Sequence, residues 1–488
     1  MEKKSITTNF FYNALYQILI TALPIITQPY ITRVLGGEAL GIHAFTEANV
    51  TYFMLIGSLG ISLYGCRKIA YIRDDPNKLS KTTWEIILLK LFLAVITLFV
   101  YLGFIMMNSQ YRMIYIIQII NILANAIEIS WFYQGIEDFK KITIRNIFVK
   151  IVFVICLFVF IHSPQDLYLY VFLIVLSALL GNFIMWIYLP RYIKPLRQTK
   201  NVQPLQPFIH LRGTLSLFIP QITVYVYSLL DRTMLGLMTT NKSNVAFYDN
   251  AQRLIRIIVA LLQSLGYVMM SRISNLSASN DIEGIKRYIE KSINFTLFLA
   301  FPMMFGLMGI AEKFIPFYLG EEFASVANVV LVLSPIIIAI ALNSVLGVQL
   351  LVSIGHDKQY TVATTVGALS NMILNFILIP IYGVYGACVA SIFAEFLVLI
   401  VQTFFVREYL NIRNIIKKNL LVMLTSFLMF LIVYSIGKLH LSILLIFLIQ
   451  ILIGSCFYFA VMLIFKNEMM KEVTNKVFGM LHLSYRVR

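Results

Sequence analysis

Apolar residues in this chain fall in blocks of about twenty, divided by short polar loops. At ~1.5 Å rise per residue, about twenty helical residues cross a ~30 Å hydrocarbon layer. The blocks predict fourteen helical spans, at 9–31, 46–66, 84–107, 113–134, 143–162, 167–189, 214–238, 245–270, 291–312, 326–352, 360–380, 384–406, 418–437 and 441–465. A membrane β-barrel would instead show roughly ten-residue segments of alternating polarity, and none occur. The pattern predicts an all-α polytopic membrane protein with no separate soluble domain.

The loops orient the spans. With the N-terminus inside, the inner segments hold 29 Lys and Arg residues and the outer loops hold five: Arg33, Arg112, Lys242, Lys313 and Lys438. Positive charge collects in cytoplasmic loops, so both termini are expected inside. Five basic residues remain within spans: Lys90, Lys150, Arg232, Arg253 and Arg256. Trp131, Phe132 and Tyr133 close the fourth span, where amphipathic rings are expected to anchor at the inner interface. Lys140, Lys141 and Arg145 then belong to the next cytoplasmic loop, with Glu137 and Asp138 read as their counter-charges. Met1 to Thr8 leads straight into a full-length span, so no cleaved signal is expected.

Composition agrees with this picture. Of 488 residues, 59% are hydrophobic and 13% charged; soluble domains have about half apolar and a quarter charged residues. The net charge of +16 would suggest nucleic acid in a soluble protein. Here the basic inner loops account for it, and no nucleic-acid partner is expected. Cys66, Cys156, Cys388 and Cys456 lie in or beside apolar blocks at no metal spacing and read as small hydrophobes. The histidines show no ligand spacing, so no metal is expected.

An internal repeat gives the organisation. YITRVLGGEALGIHAF (30–45) and SLLDRTMLGLMTTNKSNVAFYDNAQ (228–252) share Arg, then Leu-Gly, a short polar stretch and a small-apolar-aromatic re-entry. Gly36 and Gly236 are 200 residues apart, a separation holding six spans, which implies parallel repeats about the membrane normal. The chain is expected to divide into an N-terminal six-helix bundle with its basic, proline-bearing linker (1–206), a C-terminal six-helix bundle (207–410), and two further helices with a basic tail (411–488).

Polar groups within spans are costly and normally face the bundle interior or water. Four spans carry them at helical spacing: Asn9, Asn13, Gln17, Pro24 and Gln28; Gln118, Asn121, Asn125 and Glu128; Gln221, Tyr225, Ser228 and Arg232; Arg253, Arg256, Ala260 and Gln263. Interhelical hydrogen bonding could explain such stripes. Arg253 and Arg256 stand out, because two guanidinium groups one turn apart suit a diphosphate held bidentately; pairing with Glu128 or Asp231 is the structural alternative. Lys90 and Lys150 either snorkel to headgroups or form a cationic entry, and Arg33 either anchors a loop or joins the site. The candidate substrate-binding set is Arg253, Arg256, Arg232, Lys90, Lys150, Arg33, Gln28 and Asn125. Glu128, Asp231, Asp249 or Glu395 could carry a coupling proton if desolvation raises its pKa; Glu47 is a weaker candidate. No cofactor is expected beyond a coupling ion, H+ or Na+. Pro24, Pro220, Pro302, Pro335 and Pro380 are candidate kinks or hinges.

The motifs PYITRVLGGEALG (29–41), SWFYQGIEDFKKITIRN (130–146), LLDRTMLG (229–236), IPFYLGEEFASV (315–326) and NMILNFILIPIYGVYGACVASIFAEF (371–396) resemble the Wzx-type polysaccharide flippases. Their superfamily also contains MATE exporters and the lipid II flippase. The resemblance implies a MATE-like arrangement of two six-helix bundles around a cavity, plus two C-terminal helices. It implies a substrate of undecaprenyl-diphosphate-linked oligosaccharide moved from the inner to the outer leaflet, with membrane lipids, a polysaccharide polymerase and glycosyltransferases as partners and the bacterial plasma membrane as location.

Two other functions remain open on the residues alone. A MATE-like exporter of small cationic compounds predicts an acidic cavity, against the five bases within spans. An enzyme acting on the same lipid carrier predicts catalytic carboxylates in a long external loop, and the longest external segment is only about fifteen residues.

Overall fold

A computed structural model describes residues 6–107, 110–202, 204–263 and 266–480. Among them every regular element is helical. The chain divides into two compact units, 1–246 and 247–488.

The first unit holds α1 (Ile6–Ser58), α2 (Ile61–Ile72), α3 (Pro76–Met107), α4 (Arg112–Ile117), α5 (Ile119–Ala126), α6 (Ser130–Gly135), α7 (Phe139–Phe160), α8 (Leu167–Tyr188), α9 (Leu196–Val202) and α10 (Leu211–Met238). The second begins within α11 (Ser243–Gln263). It continues through α12 (Gly266–Ala278), α13 (Ile282–Leu319), α14 (Val326–Leu333), α15 (Ile336–Asn343), a π-helix (Ser344–Val352), α16 (Asp357–Tyr382), α17 (Val384–Phe405), α18 (Ile412–Gly437), α19 (Ile443–Ile464) and α20 (Glu468–Met480).

The expected count of fourteen spans is not confirmed. Among the described residues ten helices are long and apolar enough to cross a membrane. The number is eleven if Glu321–Leu333 and Ile336–Val352, bent 54° to each other, form one span. The expected seventh and eighth spans are present as α10 and α11 but are not among the ten; both carry intramembrane charge. The first two expected spans merge, because the expected loop at 32–45 is helical. A straight helix of 53 residues would run for about 80 Å, far more than a bilayer. The chain divides it at Gly36, where φ is 76° and ψ 175°, a conformation open essentially to glycine alone.

The fourth span also differs from its expected form. It is broken at Gln118, which separates α4 from α5, and again between Ala126 and Ser130, so Glu128 sits in an unwound stretch rather than on a helical stripe. Trp131, Phe132 and Tyr133 are not interface anchors. They are buried in the core of the first unit with Ile61, Ile69, Ile86 and Met185. Glycine at 65 allows this: a Cβ there would lie 2.5 Å from the Trp131 ring, so only a bare α2 backbone admits the indole. The Tyr133 hydroxyl donates to the Met185 carbonyl at 2.5 Å, which satisfies its buried polar end.

The charges after this aromatic turn separate. Glu137 pairs with Arg73 at 2.7 Å. Asp138 is buried, accepts from the Tyr192 hydroxyl at 2.5 Å and lies 3.4 Å from Lys141. Burial and the bond to Asp138 both raise the Tyr192 phenol above its ordinary value.

In the second unit α18 and α19 pack on α13 around Phe298, Val422, Met429, Val433, Tyr458 and Met462. Asp281 caps α13, accepting from the Gly284 amide at 2.8 Å, and Glu283 occupies the first turn, as acidic residues there should. Two ion pairs clamp α20: Lys418 with Glu468 at 3.0 Å and Lys291 with Glu472 at 2.6 Å.

Candidate functional site

In the first unit the break in the fourth span creates a charged centre. Unwinding at 127–129 frees backbone carbonyls, and the structure supplies donors for them. Trp186 Nε1 donates to the Ile127 carbonyl at 2.7 Å. Lys90, on α3 and 1% exposed, donates through Nζ to the Glu128 carbonyl at 2.6 Å and to Glu128 Oε2 at 2.9 Å. The other carboxylate oxygen accepts from the Ser130 amide at 2.6 Å. A buried ion pair persists only when both charges are also hydrogen-bonded in this way. Lys90 and Glu128, one a candidate ligand and the other a candidate coupling acid, are therefore partners.

Asn125, the penultimate residue of α5, donates to the Met54 carbonyl at 3.2 Å and to Ser58 Oγ at 2.9 Å. It ties α5 to the end of α1. Arg232 of α10 lies 3.8 Å from Glu47 of α1, and one residue on Thr233 reaches the Tyr52 hydroxyl at 3.2 Å. Asp231 beside it is buried. Arg33 is exposed and donates to the Pro29 carbonyl, 2.8 Å away on its own helix. Gln28 is half-buried on α1. Lys150 is exposed midway along α7. The side chains of Asn9, Asn13, Gln17, Gln221, Tyr225 and Ser228 lie outside the described residues.

In the second unit the stripe on α11 has a clear environment. Arg253, Arg256 and Ala260 are exposed, whereas Ile255, Val259 and Leu262 on other faces are buried, as is Asp249 one turn before Arg253. Arg253 Nε donates to Asp249 Oδ2 at 2.7 Å, so the acid that pairs with it stands one turn earlier on its own helix. Arg256 Nη2 donates to Gln252 Oε1 at 2.8 Å. Gln252 in turn donates to the Tyr248 hydroxyl at 2.7 Å, which lies 2.9 Å from Ser391 Oγ on α17. Asn371 reaches Ser391 at 3.4 Å and accepts from Asn375 at 3.1 Å. A polar chain thus runs from the exposed arginine face into the buried interior. Glu395, also on α17, accepts from Asn343 Nδ2 at 2.6 Å.

Tyr248, Gln252, Asn343, Asn371, Asn375 and Ser391 were not among the candidates read from sequence. The four-residue steps from Tyr248 to Gln252 and from Asn371 to Asn375 were the available signal, but nothing local says that the two pairs converge. Elsewhere in the first unit Tyr64, His210 and Glu85 form a second polar chain, in which His210 and Glu85 are buried. The Tyr64 hydroxyl lies 2.7 Å from His210 Nδ1 and His210 Nε2 3.1 Å from Glu85 Oε2. Burial holds His210 below the ordinary histidine value, and Glu85 offsets only part of this. Among the described residues no group of three His, Cys, Asp or Glu side chains could hold a metal ion.

A protein of Escherichia coli (strain K12) named for O-antigen transport is 23% identical over 409 residues, 83% of this chain and 98% of that protein. Among solved structures, the lipid II flippase MurJ in an inward closed conformation matches with a TM-score of 0.75 at 17% identity, covering 94% of this chain and all of that one. An inward-facing multidrug resistance MATE transporter matches with a TM-score of 0.57 at 13% identity, covering 86% and 97%. At those identities the two structures establish a shared fold. A MatE family model matches residues 217–377. The model of the polysaccharide biosynthesis protein family matches residues 6–277, more than half of the chain, and the protein belongs to that family.

Proposed function

We propose that this protein is a flippase for a lipid-linked oligosaccharide, carried on undecaprenyl diphosphate and moved by alternating access from the inner to the outer leaflet of the bacterial plasma membrane for surface polysaccharide synthesis. The observation that carries the proposal is the exposed cationic face of α11. Arg253 and Arg256 stand one turn apart on a span, and charge within the hydrocarbon layer must face water or a partner. Asp249 and Gln252 brace the two side chains from the same helix, which turns them toward one side of α11. A diphosphate carries the charge and the acceptor oxygens that paired guanidinium groups recognise. The E. coli relative named for O-antigen transport, matched over nearly its whole length, supports the same substrate class. An exporter of cations would be disfavoured by such a face, and transport rather than catalysis is the activity proposed.

In this reading the lipid tail stays in the bilayer while diphosphate and sugars pass along polar surface, so charge does not meet hydrocarbon. In this reading both termini lie in the cytoplasm, the side that the excess of Lys and Arg in the loops supports. Lys150, exposed on α7, is the proposed cationic contact nearer the entry. Polymerase and glycosyltransferases working on the same carrier are the proposed partners.

The test is genetic. A strain carrying R253A/R256A should accumulate lipid-linked oligosaccharide on the inner leaflet and lose surface polysaccharide while the variant protein remains in the membrane at wild-type amount. Normal surface polysaccharide in that strain, with no second flippase present, removes the anion-binding role.

A further inference from the structure

We infer that the second unit holds a binding site for the sugars of the lipid-linked oligosaccharide, in a polar cavity enclosed by α13, α18, α20 and the turn at 407–411. The inference rests on the transport reading above and deepens it by separating recognition of the glycan from recognition of the diphosphate. The cavity has a volume of about 630 Å³, within the ~300–1,000 Å³ range of small-molecule sites. The start of α13 forms one wall, the start of α18 and the turn before it a second, and the start of α20 a third. The excess of basic residues in the loops at these ends supports a cytoplasmic position. In the transport reading the sugars of an inner-leaflet substrate are on that side before translocation.

The cavity contains a fixed donor. Asn294 on α13 lines it and is only 6% exposed. Its Oδ1 accepts from Asn419 Nδ2 at 2.7 Å. The same Asn419 nitrogen donates to the Ile415 carbonyl at 2.9 Å. That second bond fixes which end of the Asn419 amide is nitrogen, so Asn294 must meet it oxygen first. Asn294 Nδ2 therefore points elsewhere. It has no protein partner among the described residues, yet it is not one of the sealed side-chain atoms that lack one. Its N–H groups are thus open to the cavity, and an amide held by its oxygen is a preorganised donor.

The walls supply acceptors and hold them in place. Glu290 Oε1 accepts from Asn414 Nδ2 at 2.7 Å and lies 3.3 Å from Lys418 Nζ. Lys418 also meets Glu468 of α20 at 3.0 Å, and Lys291 meets Glu472 at 2.6 Å. These pairs fix the side chains without exhausting them. An ionised carboxylate accepts through both oxygens, and Glu290 Oε2 has no partner among the described residues. Arg287 and Glu408 are exposed where they line the cavity, and Tyr409 beside Glu408 adds a ring and a hydroxyl.

This mixture selects the chemistry of the ligand. Four basic and five acidic side chains line the cavity, so a free anion or a free cation would meet like charge about as often as opposite charge. An apolar molecule would strip water from these groups and leave them unpaired, which costs free energy. A neutral saccharide avoids both penalties. Each of its hydroxyls donates once and accepts, which matches amide and guanidinium donors set among carboxylate acceptors. The Tyr409 ring offers its apolar face a surface. The diphosphate, which carries the charge, is left to Arg253 and Arg256 on α11.

The test uses the full chain in nanodiscs with two probes: lipid-linked oligosaccharide extracted from the host strain, and polyprenyl diphosphate without sugars. The readout is the ratio of their dissociation constants. Wild type should bind the glycan-bearing probe more tightly. N294D keeps the oxygen for Asn419 and removes the donor, so that advantage should fall about fivefold, the factor for one ordinary hydrogen bond. R287A/E408A changes only exposed side chains, which leaves folding out of question, and should reduce the advantage as well. An unchanged ratio in R287A/E408A, or in folded N294D, overturns the inference. Equal binding of both probes by wild type overturns it too and leaves the transport reading standing; binding of neither overturns the transport reading instead. A photoreactive group on the glycan should label 286–294 and 407–411 in wild type, and labelling confined to other segments overturns the inference.

Discussion

Replacing Lys90 by Met would remove the cation that holds Glu128 at the break in the fourth span. At 2.9 Å and an effective dielectric constant of ~20, the Coulomb attraction is about 6 kcal/mol before desolvation is subtracted. Breaking one side of a buried pair costs about 3–5 kcal/mol, because the other charge stays buried and uncompensated. K90M also removes the donor to the Glu128 carbonyl, while Met preserves most of the side-chain volume. E128Q alone leaves the Lys90 ammonium, 1% exposed, facing a neutral amide. K90M/E128Q removes both charges, so it should cost clearly less than the sum of the single substitutions. The coupling is expected at about 1–3 kcal/mol. Thermal and denaturant unfolding of the purified protein in detergent would measure all four corners of this cycle. K90M within about 0.5 kcal/mol of wild type, or strictly additive costs, would refute the reading of this pair as the anchor of the unwound stretch.

Other consequences can be checked in the same preparation. Gly36→Ala places a side chain in a glycine-only conformation and should destabilise by about 1–3 kcal/mol, seen as a lower unfolding midpoint; no change would mean that α1 need not break there. Trp131→Ala empties the core beside Gly65 and should cost about 3–5 kcal/mol, whereas a ring serving only as an interface anchor would cost far less. Burial lowers the native His210 value, so between that value and the unfolded value of ~6.5 the unfolded chain binds the extra proton. Stability from this group is therefore complete above about pH 6.5 and declines as pH falls toward the native value. H210N should flatten that slope of unfolding midpoint against pH, and an unchanged slope would exclude His210 as its source.

The fold class was legible because long apolar blocks have few alternatives in a chain so poor in charge. The breaks were not. Gly36 marked a discontinuity correctly, but the residues around it read as a loop, whereas helix continues on both sides. The gap after Ala126 was hidden because Glu128 completes a regular polar stripe; only Lys90, 38 positions away, reveals why the backbone opens there. Trp131, Phe132 and Tyr133 looked like interface residues by their place at a span end, and nothing in their own stretch announced that Gly65 would accept the indole. The Asp249–Arg253 pair was readable from its spacing of four. The convergence of Tyr248, Ser391 and Asn371 was not, since it depends on helices more than a hundred residues apart.

The central claim is that this chain carries a lipid-linked oligosaccharide across a membrane with the arginine face of α11 in contact with its diphosphate. The most direct measurement places purified protein in liposomes containing a polyprenyl-diphosphate oligosaccharide and follows its appearance in the opposite leaflet with a membrane-impermeant glycan-binding reagent. The account predicts translocation by the wild-type protein and its loss in R253A/R256A, with both proteins folded. Equal translocation by the two would contradict the role of the arginine face, and none by correctly folded wild-type protein, with or without a pH gradient, would contradict the flippase reading itself.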